Sequence, residues 1–494
     1  MPLFWKNGVN ILRANWLSGR MTKRLFFVLT VLLYLGIQSC ARTELTANRP
    51  RIKDEGSVFR YVIDDFTVYA VPDTPRPPKG VTFQDPVFHT NITRITDAIS
   101  DSRGSRYSYA QPGYPKHNIE SADGSKLVIQ SLCYPSWHIW NANPPYNKIR
   151  DIPNSIVGDK DPDVRWDNSD PQILYSTHTS KFYKFNVETG QILLLHDFKN
   201  DFPNDPVVRA FTGEEGDASD DRRYWAFIIL CNDTRKAPPN NWYVPGIVVY
   251  NKDFYSRDKG RVVAKLARTD PKWKGANFVS MSPSGKYVHV GAPPSWIYPR
   301  DFSSIREIGT HGHVDLAYDD EGKEVMVWVG RYFGPTGNVD HGYWVAMADV
   351  ETGAINWLAP FGSVERGFHV SGNSHDKPGW AVVSSYYPNC GEVPSQWSDV
   401  SILMYELTRR ISHPTWGNHA RVWRIAHTRM CRKDYGDDPF AKINKKGTKV
   451  WFGSGWGQSY TDAGAQYDVY QIDLPRTWYQ DLVLNKEPVA HLKK

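Results

Sequence analysis

The stretch HNIESADGSKLVIQSLCYPSWHIW, residues 117–140, decides the fold that the sequence predicts. Residues 121–124 form a polar turn, and the alternating segment 126–130 after it is typical of a strand with one buried face. A loop rich in Trp and Pro follows and carries His138. In a hairpin, the residue that opens the first strand lies at the same end as the loop that leaves the second. We therefore expect His117 and His138 to face one another.

Polar turns of this kind recur along the chain. Seven of them are spaced by roughly 40 to 70 residues, the length of one four-stranded propeller blade with its insertions. They lie at 121–124, 168–171, 219–222, 282–285, 319–322, 375–379 and 444–447. Two packed β-sandwiches would not explain seven equivalent turns. The spacing therefore predicts an all-β fold, a seven-bladed β-propeller with four-stranded antiparallel blades.

Third strands of the predicted blades follow most of the turns, at 182–187, 247–250, 344–350, 402–407 and 467–472. The last unit, 449–473, has no fourth strand of its own, whereas HTNITRITD at 89–97 is typical of one. We therefore expect an N-terminal strand to close the ring, which removes free sheet edges. The predicted propeller spans 81–480 and is followed by a C-terminal tail, 481–494.

The N-terminal region is typical of an export signal. MTKRLFFVLTVLLYLGIQSC, residues 21–40, has a basic start, an apolar run and small or polar residues before Cys40. We expect Met21 to be the true start and 1–40 to be the signal segment. Cys40 fits a loose lipoprotein box, so the sequence predicts a bacterial surface lipoprotein or a secreted protein. The Pro-rich segment 41–80 is typical of a spacer.

Most of the net positive charge of the chain lies in residues 1–40. The formal net charge is +6, but residues 1–40 hold five bases and no acid, which leaves 54 Lys and Arg against 53 Asp and Glu in the body. A nucleic-acid binder needs a sustained basic surface, so that class is excluded. We expect a monomer whose contact with a membrane is the lipid anchor alone.

Four cysteines follow Cys40, at Cys133, Cys231, Cys390 and Cys431. An exported protein can oxidise them. Their wide spacing and the lack of a CxxC motif nevertheless predict mostly buried thiols, one of which could serve a metal.

The residues that open the first strand of each blade should gather at one mouth of the propeller. Counting back from the turns gives His117, Arg165, Glu215, Phe278, Asp315, Ser371 and Phe440, with His313 and His369 just before two of these strands. Loops on the same face add Trp137, His138, Tyr183, Tyr243 and Arg331. Aromatic rings stack on sugars, and Arg binds carboxylate or sulfate in pairs of hydrogen bonds. The mixture predicts a binding site for an acidic polysaccharide.

Two kinds of cleavage are open to such a protein. Hydrolysis needs two carboxylic groups at the bond, and no paired-carboxylate pattern accompanies Glu215 and Asp315. A lyase removes the C5 proton of a uronic acid with a base, while a cation neutralises the carboxylate and a donor protonates the leaving oxygen. Histidine suits the base because it titrates near neutral pH. The mouth therefore favours β-elimination.

The turns, the phrases GHVDLAYDDEG (312–322) and HVSGNSHDKPGWAVVSSY (369–386), and the pair His117 and His138 resemble the propeller lyases that cut ulvan, a sulfated algal polysaccharide. The resemblance covers about residues 80–480. It implies that two histidines of the first blade, a Tyr and an Arg form the catalytic site. His117 and His138 match the two histidines, while Tyr183 and Arg209 are first choices for the other roles.

Tyr243 is the second choice for the tyrosine, and Arg165 and Arg331 are other candidates for binding carboxylates. With Trp137 and His369 from the predicted mouth, these residues are the candidates for substrate binding. No cofactor is required for the chemistry, although His311 and His313, two residues apart on one face of a strand, could hold a divalent ion such as Zn or Ca. Two alternatives stay open. One is an oligogalacturonate-type lyase, whose metal site uses a Gln and several His for which we find no matching Gln-x-x-His. The other is a non-catalytic glycan-binding propeller.

Overall fold

The computed structural model describes residues 59–101, 108–131, 136–157, 163–236, 241–291, 294–309, 313–334, 336–409, 411–413 and 417–484. The signal segment, Cys40, Cys133 and His311 lie outside these residues. The described chain is almost entirely β-structure. Short helical turns interrupt it at α1 (Ala98–Asp101), α2 (Asn154–Val157), Phe198–Asp201, Tyr435–Asp437 and Gln480–Leu484. No helix in these ranges is long and apolar enough to span a membrane.

The strands are short, and most have three to nine residues. In chain order they are β1 (Val62–Ile63), β2 (Thr82–Gln84), β3 (Asn91–Arg94), β4 (Ser108–Gln111), β5 (Lys126–Ser131), β6 (Trp137–Asn141), β7 (Lys148–Asp151), β8 (Val164–Trp166), β9 (Ile173–His178), β10 (Lys181–Asn186), β11 (Ile192–Asp197), β12 (Val207–Phe211), β13 (Tyr224–Asn232), β14 (Trp242–Ser256), β15 (Lys259–Ala267), β16 (Phe278–Met281), β17 (Tyr287–Gly291), β18 (Ser295–Pro299), β19 (Arg306–Ile308), β20 (Asp315–Tyr318), β21 (Glu324–Arg331), β22 (Tyr343–Asp349), β23 (Ile355–Gly362), β24 (Phe368–Ser371), β25 (Trp380–Ser385), β26 (Ser401–Glu406), β27 (Ile411–His413), β28 (Gly417–His419), β29 (Val422–His427), β30 (Lys442–Ile443), β31 (Lys449–Ser454) and β32 (Gln466–Asp473).

Four-stranded antiparallel sheets are the repeated unit. The sheets β8–β11, β12–β15, β16–β19 and β20–β23 each take four consecutive strands in order, and β24, β25, β26 and β29 form a further one to which β1 adds a fifth strand. The first and last units share a larger sheet, because β32 pairs in parallel with β4. This all-β pattern of sequential antiparallel sheets is the one that propeller-type folds use.

The predicted turns lie where the sequence places them. Each of the seven directly precedes the second strand of a unit, namely β5, β9, β13, β17, β21, β25 and β31. Ser121, Ser282 and Asp319 each accept a backbone hydrogen bond from the glycine three residues later. Those glycines have positive φ, which explains why turns ending in Gly mark the boundaries of the units.

The N-terminal strand predicted at 89–97 is present as β3, which pairs antiparallel with β32 over Asn91–Arg94. The preceding segment is not a free spacer, however. Tyr61 is 1% exposed within an apolar cluster, and β1 pairs with β29. Residues 59–80, which we assigned to a spacer on their proline content, therefore pack against the sheets. Leu482, in the predicted tail, is also buried.

Apolar side chains lie between neighbouring sheets. One such cluster joins Phe182 of β10 to Trp225 and Phe227 of β13. Another joins Phe278 of β16 to Met326 and Trp328 of β21. Large rings fill the space between twisted sheets, which explains much of the aromatic content.

One prediction about the cysteines is wrong. Cys390 and Cys431 form a disulfide, while Cys231 is a buried free thiol. The two half-cystines are 41 residues apart in sequence. Their loops, which follow β25 and β29, are adjacent because these strands belong to one sheet. Sequence spacing alone does not reveal this proximity.

Candidate functional site

The starts of the first strands converge at one end of the sheets. β20 and β24 each run from this end toward a polar turn, so the turns lie at the opposite end. Side chains from several sheets contact each other where the strands begin. We call this group the central cluster and define it by Tyr114, Lys116, His117, Glu215, His313, His369 and Phe440. Most of these residues were predicted as mouth residues, and the structure brings them together.

Lys116 and Glu215 form the charged part of the central cluster. The Lys116 ammonium lies 2.7 Å from a Glu215 carboxylate oxygen and 3.6 Å from the centre of the Phe278 ring. The Lys116 side chain is 3% exposed and that of Glu215 is 17% exposed. Such a buried cation is stabilised by both its carboxylate partner and the aromatic face.

Imidazole and phenol rings form the other part. The Tyr114 hydroxyl lies 2.8 Å from His313 Nδ1, and the His313 and His369 ring centres are 4.8 Å apart. His369 also packs against Tyr386 and Phe440. His369 is fully buried, and within the described chain neither of its ring nitrogens has a hydrogen-bond partner. Burial lowers the pKa of the His369 imidazole well below its ordinary value, and His313 and Lys116 lower it further.

A cavity of about 60 Å³ opens beside the central cluster. Its walls contain His117 together with Gln111, Tyr114, Gln130, Trp137, Glu214, Tyr435 and Phe440. We call it the His117 cavity. Tyr435 in this wall is half exposed. Trp137, predicted as a substrate-binding residue, is buried in the wall.

The His117 ring is held in one orientation. Its Nε2 lies 3.0 Å from the backbone carbonyl oxygen of Glu214. Because a carbonyl oxygen only accepts, Nε2 carries the proton and Nδ1 carries the lone pair of the neutral ring. Burial lowers the pKa of His117 well below its ordinary value, and the nearby charges of Arg165 and Lys442 add to this effect. His117 is therefore a neutral imidazole at neutral pH.

His138 does not face His117, contrary to the sequence prediction. The sequence predicts a loop at this position, but His138 is the second residue of β6, directly after Trp137. Neighbouring residues of a strand point to opposite faces, so His138 lies on the face away from the His117 cavity. Its ring is 2.7 Å from both Ser131 Oγ and Asp151 Oδ1. Both of its nitrogens are therefore used by the protein.

Tyr183 and Arg209 occupy different environments. Tyr183, in β10, is half-buried and packs against the apolar cluster that contains Trp137, and it does not line the His117 cavity. The Arg209 side chain is 36% exposed, and its guanidinium lies 3.6 Å from the Glu214 carboxylate at the cavity wall. Arg209, unlike Tyr183, therefore lies beside the cavity.

The sequence predicts that Arg165 binds substrate carboxylates, but the structure buries this residue. It is 1% exposed and donates to the backbone carbonyls of Val164, Glu214 and Gly216. Asp163 lies 3.5 Å from its guanidinium. The short distance in sequence between Arg165 and its polar turn predicts a position near the mouth. It does not reveal that the next sheet covers the Arg165 side chain.

The other residues predicted to bind substrate are also paired with protein groups or buried. The Tyr243 hydroxyl donates to Asp205 at 3.0 Å, and burial raises the pKa of that phenol. Arg331 is half exposed and pairs with Asp340. His369 is too deeply buried to contact a substrate at the surface.

Half of the predicted metal pair lies outside the described residues, so the pair itself stays a prediction. His313 uses Nδ1 in its contact with Tyr114, and His311 lies outside the described residues. Within the part of the chain that the structure describes, no three His, Cys, Asp or Glu side chains are grouped so that they could hold a metal ion. We therefore assign no metal ligands here.

Several residues of the site were missed by the sequence analysis. Tyr114 and Lys116 lie within three residues before His117, but only one residue was taken from each strand start. The signal that could have found them is Gly113, which has a positive φ, with Pro115, because these residues follow the end of β4 and do not continue it as a strand. Tyr435 follows a loop and carries no periodic pattern.

At the end of the sheets where the polar turns lie, polar contacts connect one turn to another. His375 Nδ1 lies 2.7 Å from Asp220, which belongs to a turn 155 residues away. Lys445 lies 3.7 Å from Asp376. These contacts connect the turns to each other at the end of the sheets opposite the central cluster.

The fold and this site together define an all-β protein of propeller type with a cluster of histidine, tyrosine and lysine where its sheets converge. No protein-family model matches the chain, and no curated protein does. The fold is nevertheless shared with solved structures. An oligogalacturonate lyase from Vibrio parahaemolyticus aligns with a TM-score of 0.52 and 13% identity, over 85% of this chain and 100% of its own. An oligogalacturonate lyase in complex with manganese aligns with a TM-score of 0.51 and 14% identity, over 85% and 99%.

Proposed function

We propose that this chain is a lyase that cleaves uronate-containing oligosaccharides or polysaccharides by β-elimination, on a seven-bladed propeller closed by β3. The observation that carries the proposal is the His117 cavity, which a neutral imidazole and phenols line, with Arg209 paired to the lining residue Glu214. The fold likeness favours an oligogalacturonate-type substrate over ulvan. An ulvan-type sulfated polymer remains the second substrate to test.

His117 is the proposed general base. Nδ1 accepts the C5 proton of the uronate, the bond between C4 and its oxygen breaks, and a double bond forms between C4 and C5. A neutral, buried imidazole is ready to accept this proton, and the carboxylate of a bound uronate favours the imidazolium that results. Tyr435, half exposed on the same wall, is the proposed donor to the leaving oxygen.

Arg209 is the proposed partner of the uronate carboxylate. Removal of the C5 proton places negative charge on this carboxylate, so a nearby cation stabilises the transition state. Arg209 lies beside Glu214, at the edge of the cavity. A cavity of about 60 Å³ holds the reacting edge of one sugar and no more, because pockets for whole ligands are about 300 Å³ or larger. The rest of the substrate therefore lies across the surface.

The test is the ultraviolet absorbance of an unsaturated uronate after mixing the protein with polygalacturonate, oligogalacturonates or ulvan. A rise that disappears in His117→Gln and persists in His138→Gln supports the proposal. Absence of a rise with every uronate polymer, from folded protein, contradicts it. Comparison of the initial rates then ranks the substrates.

A glycan-binding module without catalysis is the second candidate. A larger cavity, about 580 Å³, lies away from His117 and is lined by residues 68–74, 388–394 and 429–431 among others. Its size suits a sugar ring, and no base is needed for binding. Binding of a uronate oligosaccharide by calorimetry, with no rise in absorbance, selects this candidate.

We also propose export of a monomer to the bacterial surface, with a lipid on Cys40. The Cys390–Cys431 disulfide supports an oxidising compartment. Mass spectrometry of the mature N-terminus from cell envelopes tests the lipid. Unmodified Cys40 on intact protein in the cytoplasm contradicts the proposal.

A further inference from the structure

Residues 212–217 form a loop that reaches from the β12 sheet toward His117, and we call it the 212–217 loop. Its two ends are fixed to β16: the Thr212 carbonyl accepts a hydrogen bond from Val279 N–H, and the Asp217 carbonyl accepts one from Met281 N–H, both at 2.8 Å. Between these ends the backbone is unusual. Glu214 has a φ of 71°, in the left-handed region that non-glycine residues rarely adopt.

The strained conformation of Glu214 needs support from its surroundings. Gly213 has a φ of 80°, and a Cβ atom there would lie 2.5 Å from the carbonyl oxygen of Asn277. At Gly216 a Cβ would lie 1.6 Å from the carbonyl oxygen of Val279. The loop therefore packs so closely against its neighbour that only glycine fits on both sides of Glu214.

Arg165 supports the loop from the other side. Its Nε donates to the Gly216 carbonyl at 3.0 Å, and its Nη2 donates to the Glu214 carbonyl at 3.3 Å. Asp163 accepts from the Thr212 backbone at 2.6 Å and lies beside Arg165. The guanidinium is almost completely buried, so these bonds are not exchanged for water.

The Glu214 carbonyl is the shared atom. It accepts hydrogen bonds from Arg165 Nη2 and from His117 Nε2, at 3.3 and 3.0 Å. We propose that Arg165 is a positioning residue, which fixes this carbonyl and thereby holds His117 in the tautomer with its proton on Nε2. The tautomer itself does not depend on the proposed function. Its consequence does rest on that function, namely that Nδ1 faces the substrate as the base.

The first test is the tautomer of His117 in ligand-free protein, read by nitrogen-15 NMR of histidine-labelled protein and assigned with His117→Gln. The proposal requires Nε2–H in the wild type. An Nδ1–H tautomer overturns it, with no variant needed. Since no substrate is present, this result is independent of whether the protein is a lyase.

The second test compares Arg165→Lys with Arg424→Lys. Lysine keeps the charge but cannot hold the Glu214 and Gly216 carbonyls as a guanidinium does. Arg424 is an equally buried arginine that donates to the backbone carbonyls of Thr67 and Trp397, away from the 212–217 loop, so it is the matched control. We expect mixed His117 tautomers in Arg165→Lys and a single one in Arg424→Lys. A single Nε2–H tautomer in both variants overturns the proposal.

The kinetic readout is the pair kcat and KM. Misplacement of the base predicts a kcat that falls by about tenfold to a hundredfold in Arg165→Lys, with KM nearly unchanged. Arg165, Lys442 and Arg222 are the charges that lower the pKa of His117, and Arg165→Lys preserves all three, so the pH profile should keep its midpoint. If Arg165→Lys does not fold, Thr212→Val, which loosens the same loop, replaces it. A changed tautomer in a protein with no lyase activity would support the positioning role and contradict the proposed function.

Discussion

Trp137 and His138 are neighbours in β6 and face opposite sides of its sheet, one toward the His117 cavity and the other toward Asp151. This alternation separates the two histidines that the sequence analysis paired. It also separates two roles, because His117 lines a cavity and His138 joins β6 to its neighbouring strands through Ser131 and Asp151.

The first prediction contrasts these histidines. His117→Gln should reduce the rate of β-elimination by about a hundredfold or more, the usual contribution of a general base. His138→Gln should lower the thermal midpoint and leave kcat within about twofold, since its ring bonds lie away from the cavity. The measurement is the initial rate on the best uronate substrate. Equal losses in the two variants would restore the paired-histidine mechanism.

The repeating turns and the strand that pairs with β32 could be predicted from sequence because local patterns encode them. A glycine with positive φ and a polar turn determine where a strand ends, whatever the tertiary contacts. The face toward which His138 points depends on whether its segment is strand or loop. The proximity of Lys116 to Glu215 depends on how two sheets meet, and no local pattern records this.

The second prediction concerns that ion pair. Glu215→Gln leaves the Lys116 ammonium, 3% exposed, without its carboxylate, and should lower the free energy of unfolding by about 3 kcal/mol. The combination Lys116→Met with Glu215→Gln should recover part of this loss, because the uncompensated charge is gone. Urea titrations provide the measurement. The exposed pair Lys323 and Glu321 is the control, and Glu321→Gln should leave the unfolding midpoint unchanged.

The third prediction is a pH dependence at His369. Its folded pKa lies well below the ordinary value of 6.5, so the native state keeps it neutral while the unfolded chain binds a proton below pH 6.5. The stability that neutral, buried His369 contributes is therefore fully present above pH 6.5. It is lost as the pH falls below that value, by about 1.4 kcal/mol per pH unit. His369→Phe should remove the part of this dependence that His369 contributes, while other buried histidines such as His117 keep theirs. The difference in unfolding free energy between variant and wild type should shift in favour of the variant from pH 7.5 to pH 5.5, and a constant difference would contradict the burial argument.

The fourth prediction concerns the disulfide. Cys390→Ser with Cys431→Ser should lower the free energy of unfolding by about 4 kcal/mol, from the entropy of a loop of 41 residues. Reductant should reproduce the loss in the wild type and have no effect on the double variant. Cys231→Ala is the control, because that thiol is free and its replacement should leave the response to reductant intact. Wild-type protein whose midpoint ignores reductant would contradict the pairing.

The fifth prediction follows from the closeness of the 212–217 loop to β16. A single methyl group at Gly216 would overlap the Val279 carbonyl, which belongs to a strand and cannot move without breaking its own hydrogen bonds. Gly216→Ala should therefore displace the loop and reduce stability by about 3 kcal/mol. Gly309→Ala is the matched control, since nothing lies within 4 Å of the added atom. Because the Glu214 carbonyl moves with the loop, the His117 tautomer should become mixed in Gly216→Ala even at temperatures where the protein is fully folded. Gly216→Ala with wild-type stability and a single tautomer would show that the loop tolerates movement, and the orientation of His117 would then need another cause.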